Sequence, residues 1–415
     1  MRLRPSLLIL PALLAVLGCT STRSTGPETT GTAQAVAAAP LRLTLIGTND
    51  LHGWIEPHRS TLPDGSVAEQ GGLAVFAGYL ASMRADNPGG VLLLDGGDMF
   101  QGTLASNLTE GAVMVEAMNA LGFDAAALGN HEFDYGPAGP ASVAGAGEDP
   151  FGALKERIAE ADFPILGANG FEAATGAQPA WLGNDGTRLV QRHGLTIGLM
   201  GMATPSTPRT TNPVNVESLR FGSIAPSALE TANRLRKDGA DVVIALVHAG
   251  ARCDALDNPR DVSSCDQDQS ELFEFLRELP EGTLDAVIAG HTHAALGHFV
   301  HGVPVIETSG LGRSFGVIEL FIDAETRKVL PEATQLRAAQ PICAWVDAAS
   351  KTCDARALRK QEQVTWETAS YLERPIVPDE AIRTMVAPTL AKVSEEQARK
   401  LGIEVVEQLR RDYND

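Results

Sequence analysis

From residue 41 onward, short apolar runs bounded by glycine and polar residues alternate with stretches whose apolar positions recur every three or four residues. The runs "LRLTLIGTND", "GGVLLLDGGD", "DAAALGN", "FPILGAN", "ADVVIALVHAG" and "LDAVIAGHTH" read as strands, and "RLVQRHGLTIGLMG" as a hairpin. Between them, "GGLAVFAGYLASMRA", "GAVMVEAMNALG", "APSALETANRLRK" and "ELFEFLREL" carry helical spacing. The pair "GVPVIETSG" and "FGVIELFID" completes the series. Such alternation predicts an α/β domain over residues 41–340. Residues 341–415 are predicted as a loop-rich extension with a closing helix, "PDEAIRTMVAPTLAKVSEEQARKLG", capped by Asp379 and interrupted or kinked at Pro388. No internal repeat and no second hydrophobic core is evident in these last residues.

The first forty residues do not fit this pattern. Arg2 and Arg4 precede "LLILPALLAVLG", which is short for a membrane span and has the length of a signal-peptide core. The run ends in "VLGC", which resembles a bacterial lipobox, with Cys19 as the lipid-modified residue. An ordinary secretory signal containing a chance cysteine is the plainer alternative. Residues 20–40 are Ser, Thr, Gly, Ala and Pro with little apolar bulk, the composition of a flexible tether. The sequence therefore predicts a signal peptide over 1–19, a tether over 20–40, and a lipid-anchored protein of the cell envelope, outside the cytoplasm.

The 415-residue chain has an ordinary soluble composition and a net charge of −19. That charge argues against a nucleic-acid partner, because phosphate backbones are bound by basic patches. An anionic substrate would need local positive charge, and a metal ion is the obvious source. The remaining four cysteines fit export. Cys253 and Cys265 flank one polar loop, and Cys343 and Cys353 another. Of the three possible pairings, two local bridges, 253 to 265 and 343 to 353, are the simplest in an oxidising compartment.

The candidate chemistry sits where the strands end. Asp50 and His52 lie in "TNDLHG", Asp98 in "DGGD", Asn130 and His131 in "GNHE", His248 in "ALVHAG", and His291 and His293 in "GHTH". In open α/β sheets ligands bind outside the carboxyl ends of strands. Gly129 is expected to turn the chain so that Asn130, His131 and Asp134 stand at one exit. On extended chain, residues two apart point the same way, so Asp50 with His52, or His291 with His293, could direct two ligand atoms into one space. A lone histidine is more often a core or surface residue, and His58, His193, His298 and His301 are assigned there.

Imidazoles at 52, 248, 291 and 293, carboxylates at 50 and 98 and the amide at 130 are too many for one ion. They suit two, with a central carboxylate bridging them. Without thiolates, zinc, manganese and iron remain open. Two ions close together clamp an in-line displacement at phosphorus and lower the pKa of a bound water. The leaving oxygen also needs a proton donor; His131 can serve, with Asp134 orienting its ring.

The series "NDLHG", "DGGD", "GNHEFDYG", "VHAG" and "GHTH", with the longer "QGTLASNLTEGAVMVEAMNALGFDAAALGNHEFDYG", "QGGLAVFAGYL" and "ETSGLGRSFG", resembles the 5'-nucleotidase family of the calcineurin-like metallophosphoesterases over about residues 41–330. The resemblance implies a four-layer α/β/β/α sandwich of two facing sheets flanked by helices. It assigns Asp50, His52 and His293 to one ion and Asn130, His248 and His291 to the other, with Asp98 bridging and His131 and Asp134 as the catalytic pair. Asn130, His131 and Arg313, the last in "GLGRSFG", are the candidate substrate contacts, although Arg313 reads equally as a surface residue.

The implied reaction is hydrolysis of small phosphate monoesters, 5'-nucleotides among them, by a metal-activated water. Family enzymes add a C-terminal domain that binds the base and the substrate. Here "GIEVVEQLRRDYND" resembles the segment just before it. The expectation is that this domain is missing, or is supplied by a separate chain. The alternatives are cyclic-nucleotide phosphodiesterase, nucleotide-sugar hydrolase or sulfur-oxidation-type hydrolase chemistry on the same metals, or a non-enzymatic lipoprotein derived from the family.

Overall fold

A computed structural model describes residues 39–399. Two six-stranded sheets organise them. The first contains β1 (Leu41–Thr48), β2 (Val91–Asp95), β3 (Ala125–Ala127) and β4 (Ile165–Leu166). The second contains β5 (Thr187–Arg192), β6 (Leu195–Met202), β7 (Val242–Val247), β8 (Ala286–Ala289), β9 (Leu296–Val300) and β10 (Val303–Glu307). The chain then returns to the first sheet with β11 (Ser314–Ile322) and β12 (Gln335–Pro341). The strand orders are β12-β11-β1-β2-β3-β4 and β9-β10-β8-β7-β6-β5. The strands β1 to β4 run parallel, as do β6, β7, β8 and β10, while β11, β12, β5 and β9 join antiparallel at the flanks.

The sheets face one another across a dry layer. In β2, Leu92 and Leu94 point into it and meet Leu199, Ile244, Leu246 and Ile288 of the other sheet, whereas Leu93 points outward. The alternation of strand side chains thus divides one continuous apolar run between two cores, which is why the strand carries no polar position before Asp95. Outside the first sheet, Ile46 and Leu93 pack under α1 (Leu73–Asp86) and α2 (Ala112–Leu121) through Phe76, Leu80, Met114 and Met118. Outside the second, Val243, Ala245 and Val247 pack under α3 (Ile224–Lys237) and α4 (Glu271–Glu278) through Ala232, Leu235, Leu272 and Leu276. The result is the four-layer α/β/β/α sandwich.

Three features depart from the sequence expectation. The hairpin Pro57–Thr61/Val67–Gly71 and the strands β9 and β12 were not legible as strands, because "LGHFV" carries a buried histidine in its middle and "QLRAAQP" is half exposed along its length. Residues beyond 341 do not stand apart: Ile342, Val346, Ala369, Ile376, Ile382 and Val386 join the core outside the first sheet. Pro388 does not end its helix. The helix α5 runs from Glu380 to Ala398 with Pro388 inside it, capped by the Asp379 carboxylate on the amides of Ala381 and Ile382. Burial of Ile382 and Val386, with Leu390 and Val393 packed beside them, offsets the one backbone hydrogen bond that proline removes.

Candidate metal centre

Every parallel strand that matters ends at the same edge, and the polar clusters follow it. Asp50 and His52 come after β1, Asp98 after β2, Asn130 and His131 after β3, His248 after β7, and His291 and His293 after β8. Facing sheets bring these exits together as two groups, Asp50 with His52 and His293, and Asp98 with His248 and His291. In the first, His293 Nε2 stands 3.2 Å from Asp50 Oδ1 and 3.0 Å from His52 Nε2. In the second, His248 Nε2 lies 3.0 Å from Asp98 Oδ2 and 3.0 Å from Asn130 Oδ1. Asp98 Oδ2 is also 3.8 Å from His52 Nε2, so this one oxygen looks toward both groups.

The outer atoms of His52, His248, Asn130, Asp98 and Asp50 are committed, which fixes what these five turn inward. His52 Nδ1 donates to the carbonyl of Gln101 at 2.7 Å, and His248 Nδ1 to that of Gly96 at 2.8 Å. A carbonyl only accepts, so each Nδ1 carries the hydrogen and each Nε2 presents a lone pair. Asn130 Nδ2 donates to the Thr210 carbonyl at 2.9 Å, turning Oδ1 inward. Asp98 Oδ1 accepts the His131 amide at 2.8 Å and leaves Oδ2 free. Asp50 Oδ2 accepts from Asn49 Nδ2 at 2.6 Å and from the His291 amide at 2.9 Å. Lone pairs converging at 3.0 Å repel unless a cation lies among them. A nitrogen and oxygen donor set without thiolate fits hard or borderline divalent ions.

The backbone reaches these positions at a conformational cost. Asp50, His52, Asp98, His291 and His293 all adopt left-handed φ, between 47° and 80°. Such angles are costly for residues other than glycine, and they collect where the surroundings force them. The extended-chain argument for Asp50 with His52 therefore does not apply. These two share a group because the left-handed turn folds both inward, and His291 and His293 separate into different groups. Gly129 also serves otherwise than expected. Its φ is not left-handed, and its requirement is space, since a Cβ there would stand 2.2 Å from Asp98 Oδ1.

His131 stands at the edge of the centre, its ring 5.2 Å from that of His52. Its Nδ1 lies 2.5 Å from Asp134 Oδ2, and Thr211 Oγ1 donates to Asp134 Oδ1 at 2.6 Å. Burial lowers its pKa, but the Asp134 hydrogen bond and the Asp98 charge prevail and lift it to about 9. Arg313 is not in either group: its Nη2 lies 3.2 Å from His58 Nδ1.

Sequence reasoning missed two buried carboxylates that hold the loops. Glu132 accepts the amides of Gly129 at 2.7 Å, Asp98 at 2.9 Å and Met99 at 2.7 Å, tying the exit of β3 to that of β2. Glu307, at the end of β10, accepts Thr292 N at 3.1 Å and Oγ1 at 2.6 Å, and Ala251 N at 3.2 Å, tying the exit of β8 to that of β7. Burial raises both, Glu132 to about 8. The available signal was an acid just past an apolar strand, the same signal that marks Asp98. Elsewhere Cys253 bonds Cys265 and Cys343 bonds Cys353, the two local bridges. The first disulfide commits the thiols nearest His298, so that third cluster offers no thiolate.

A family model for calcineurin-like phosphoesterase matches residues 43–295, which contain both groups. The chain belongs to that family. Among curated proteins it is 35% identical to the snake venom 5'-nucleotidase of Gloydius brevicauda over 228 residues, 52% of this chain and 34% of the relative. It is 34% identical to that of Crotalus adamanteus over 321 residues, 70% of this chain and 47% of the relative. The chain thus spans less than half the length of these two relatives. Among solved structures, a 5'-nucleotidase precursor from Thermus thermophilus superposes with a TM-score of 0.62 at 22% identity, over 86% of this chain and 60% of the other, a likeness of fold.

Proposed function

We propose that this protein is a two-metal phosphoesterase that hydrolyses small phosphate monoesters, 5'-nucleotides among them. The observation that carries the proposal is Asp98 Oδ2, which faces His248 at 3.0 Å and His52 at 3.8 Å with a donor group on either side. Asp50, His52 and His293 would hold one divalent ion, and Asn130, His248 and His291 the other, with Asp98 between them. When bound, such ions supply the positive charge that a phosphoryl group needs in displacement. The donor set suits zinc, manganese or iron.

The chain's own residues do the rest. His52 and His248 are held as Nδ1–H tautomers, so their Nε2 lone pairs stay oriented without rearrangement. Asp134 holds His131 Nδ1, and Thr211 holds Asp134, which leaves His131 Nε2 as the atom that carries a proton to a departing alkoxide. The substrate phosphoryl oxygens would meet the His131 side chain at the edge of the centre and the Asn130 side chain deeper within it. Five left-handed residues fixed by buried hydrogen bonds keep the donors in place before substrate arrives.

The finer address rests on residues 1–38, which lie outside those described. We propose export and lipid attachment at Cys19; among the described residues no helix is long and apolar enough to cross a membrane. Metal-stripped protein reconstituted with single metals, assayed on an aryl phosphate and a panel of nucleoside monophosphates, tests the function. Phosphate release that depends on added metal supports it, and no release with any of the three metals contradicts it.

A further inference from the structure

Trp54, two residues past His52, has no place in the apolar cores. It is half-buried, and it belongs to none of the hydrophobic clusters among the described residues. Its ring stacks on that of His58, with centroids 3.7 Å apart and planes 28° from parallel. His58 is fixed at both nitrogens: Nε2 donates to the Leu311 carbonyl at 2.8 Å, and Nδ1 accepts from Arg313 Nη2 at 3.2 Å. Burial, with Arg313 beside it, keeps this imidazole neutral. The pair is therefore an aromatic slab in which both imidazole nitrogens are already committed.

Arg313 is a half-buried guanidinium with no ion pair among the described residues, and its Nε is buried without a partner. Arg356 adds positive charge nearby, offset in part by Asp354. The loop that carries Arg313 also backs the metal centre. The Leu311 amide donates to the Asp50 carbonyl at 2.7 Å, and a Cβ at Gly310 would stand 3.0 Å from that of Asp50 and 3.7 Å from His293 Cγ. A Cβ at Gly312 would stand 3.1 Å from the Trp54 carbonyl oxygen. Slab and guanidinium thus lie on two neighbouring segments, 54–58 and 310–313, and the second of these also touches Asp50 and His293.

We propose that Trp54, His58 and Arg313 form a leaving-group subsite within this chain, and that its ligand is a nucleobase with carbonyl acceptors, a 6-oxopurine above all. The base stacks against the indole, and a guanidinium N–H donates to O6 and N7, an arrangement that a 6-aminopurine opposes with its own donor. The proposal rests on the phosphoesterase reading above and adds to it a means of recognition placed beside the metals.

The test compares guanosine 5'-monophosphate, adenosine 5'-monophosphate and glycerol phosphate on the metal-loaded full chain. Trp54→Ala is expected to lower the ratio of kcat/KM for the guanosine nucleotide over glycerol phosphate by about five- to a hundredfold, the usual worth of one stacked base, with Trp54→Phe restoring most of it. Arg313→Ala is expected to bring the guanosine and adenosine nucleotides to within about twofold of each other. A Trp54→Ala ratio equal to that of the natural chain overturns the subsite, and an unchanged guanosine-to-adenosine ratio in Arg313→Ala overturns the base assignment. Calorimetric binding of guanosine, which has no phosphate, separates this from the reaction itself. If the natural chain hydrolyses none of the three, a Kd at least fivefold weaker in Trp54→Ala still supports the subsite, and an equal Kd overturns it.

Discussion

His131 Nδ1 stands 2.5 Å from Asp134 Oδ2, and this contact divides the site's labour. His52, His248, Asn130, Asp98 and Asp50, proposed to hold the metals, have their outer atoms tied to the frame, whereas His131 is tied on one nitrogen and open on the other. His131→Ala should therefore keep the metals and slow turnover by about 10²–10⁴-fold, the usual worth of a positioned general acid. The loss should shrink on nitrophenyl phosphate, whose leaving group needs no proton. Equal losses on alkyl and nitrophenyl esters would count against the acid role.

Asp98→Ala should abolish activity and strip both ions, because the oxygen it removes is the one that faces both groups. Elemental analysis after desalting checks this. Two ions per chain in the variant would remove Asp98 from the bridging position.

Glu132→Gln replaces an acceptor oxygen with an amide donor opposite backbone N–H groups of Gly129, Asp98 and Met99. Metal affinity should fall about 10–100-fold, as it does when the groups orienting ligands are lost. Competition with a coloured chelator measures it. An unchanged affinity would show that the Asp98 loop holds its shape without this carboxylate.

The pH dependence of stability has a candidate outside the metal ligands. Asp95 is buried and pushed up to about 7, against 3.8 for an ordinary aspartate. Between those values the unfolded chain has released this proton while the folded chain keeps it. The contribution of Asp95 is thus fully present below about pH 4 and fades as pH rises to about 7. Asp95→Asn, which can still accept from the Gly97 amide and pair with Thr48, removes that titration. The melting temperature of the variant relative to the natural chain should rise between pH 4 and pH 8. A difference independent of pH would contradict the assignment.

Much of this was legible before the structure, for a physical reason. Strands covered on both faces, such as Val91–Asp95, advertise themselves as apolar runs unbroken up to their last residue, and the polar residues that follow stand out by contrast. The candidate donors at 50, 52, 98, 130, 248, 291 and 293 were proposed from that contrast, and the fold brings them to one edge. Less legible was whatever depends on tertiary packing: the half-exposed edge strand Gln335–Pro341, the helix that continues through Pro388, and the left-handed turns that carry Asp50 and His293 inward. Glu132 and Glu307 were passed over because their partners, apart from the Thr292 hydroxyl, are backbone amides, which leave no mark in a sequence. Gly129 shows a right signal with the wrong cause, since its bareness serves the approach of Asp98.

Cys19→Ser should move the protein from the membrane fraction to the soluble fraction of the cell envelope, since lipid attachment is the anchor proposed for it. Fractionation with a high-salt wash decides it. A variant that stays with the membrane would contradict lipid attachment at Cys19.

Two ions held by these side chains are proposed to support the hydrolysis. The most direct test of that proposal is phosphate release measured against ions bound per chain as metal is returned to stripped protein. Negligible activity is expected in the stripped chain, and full activity only as the second ion binds. Activity that is complete at one ion per chain, or that survives removal of both, would contradict it.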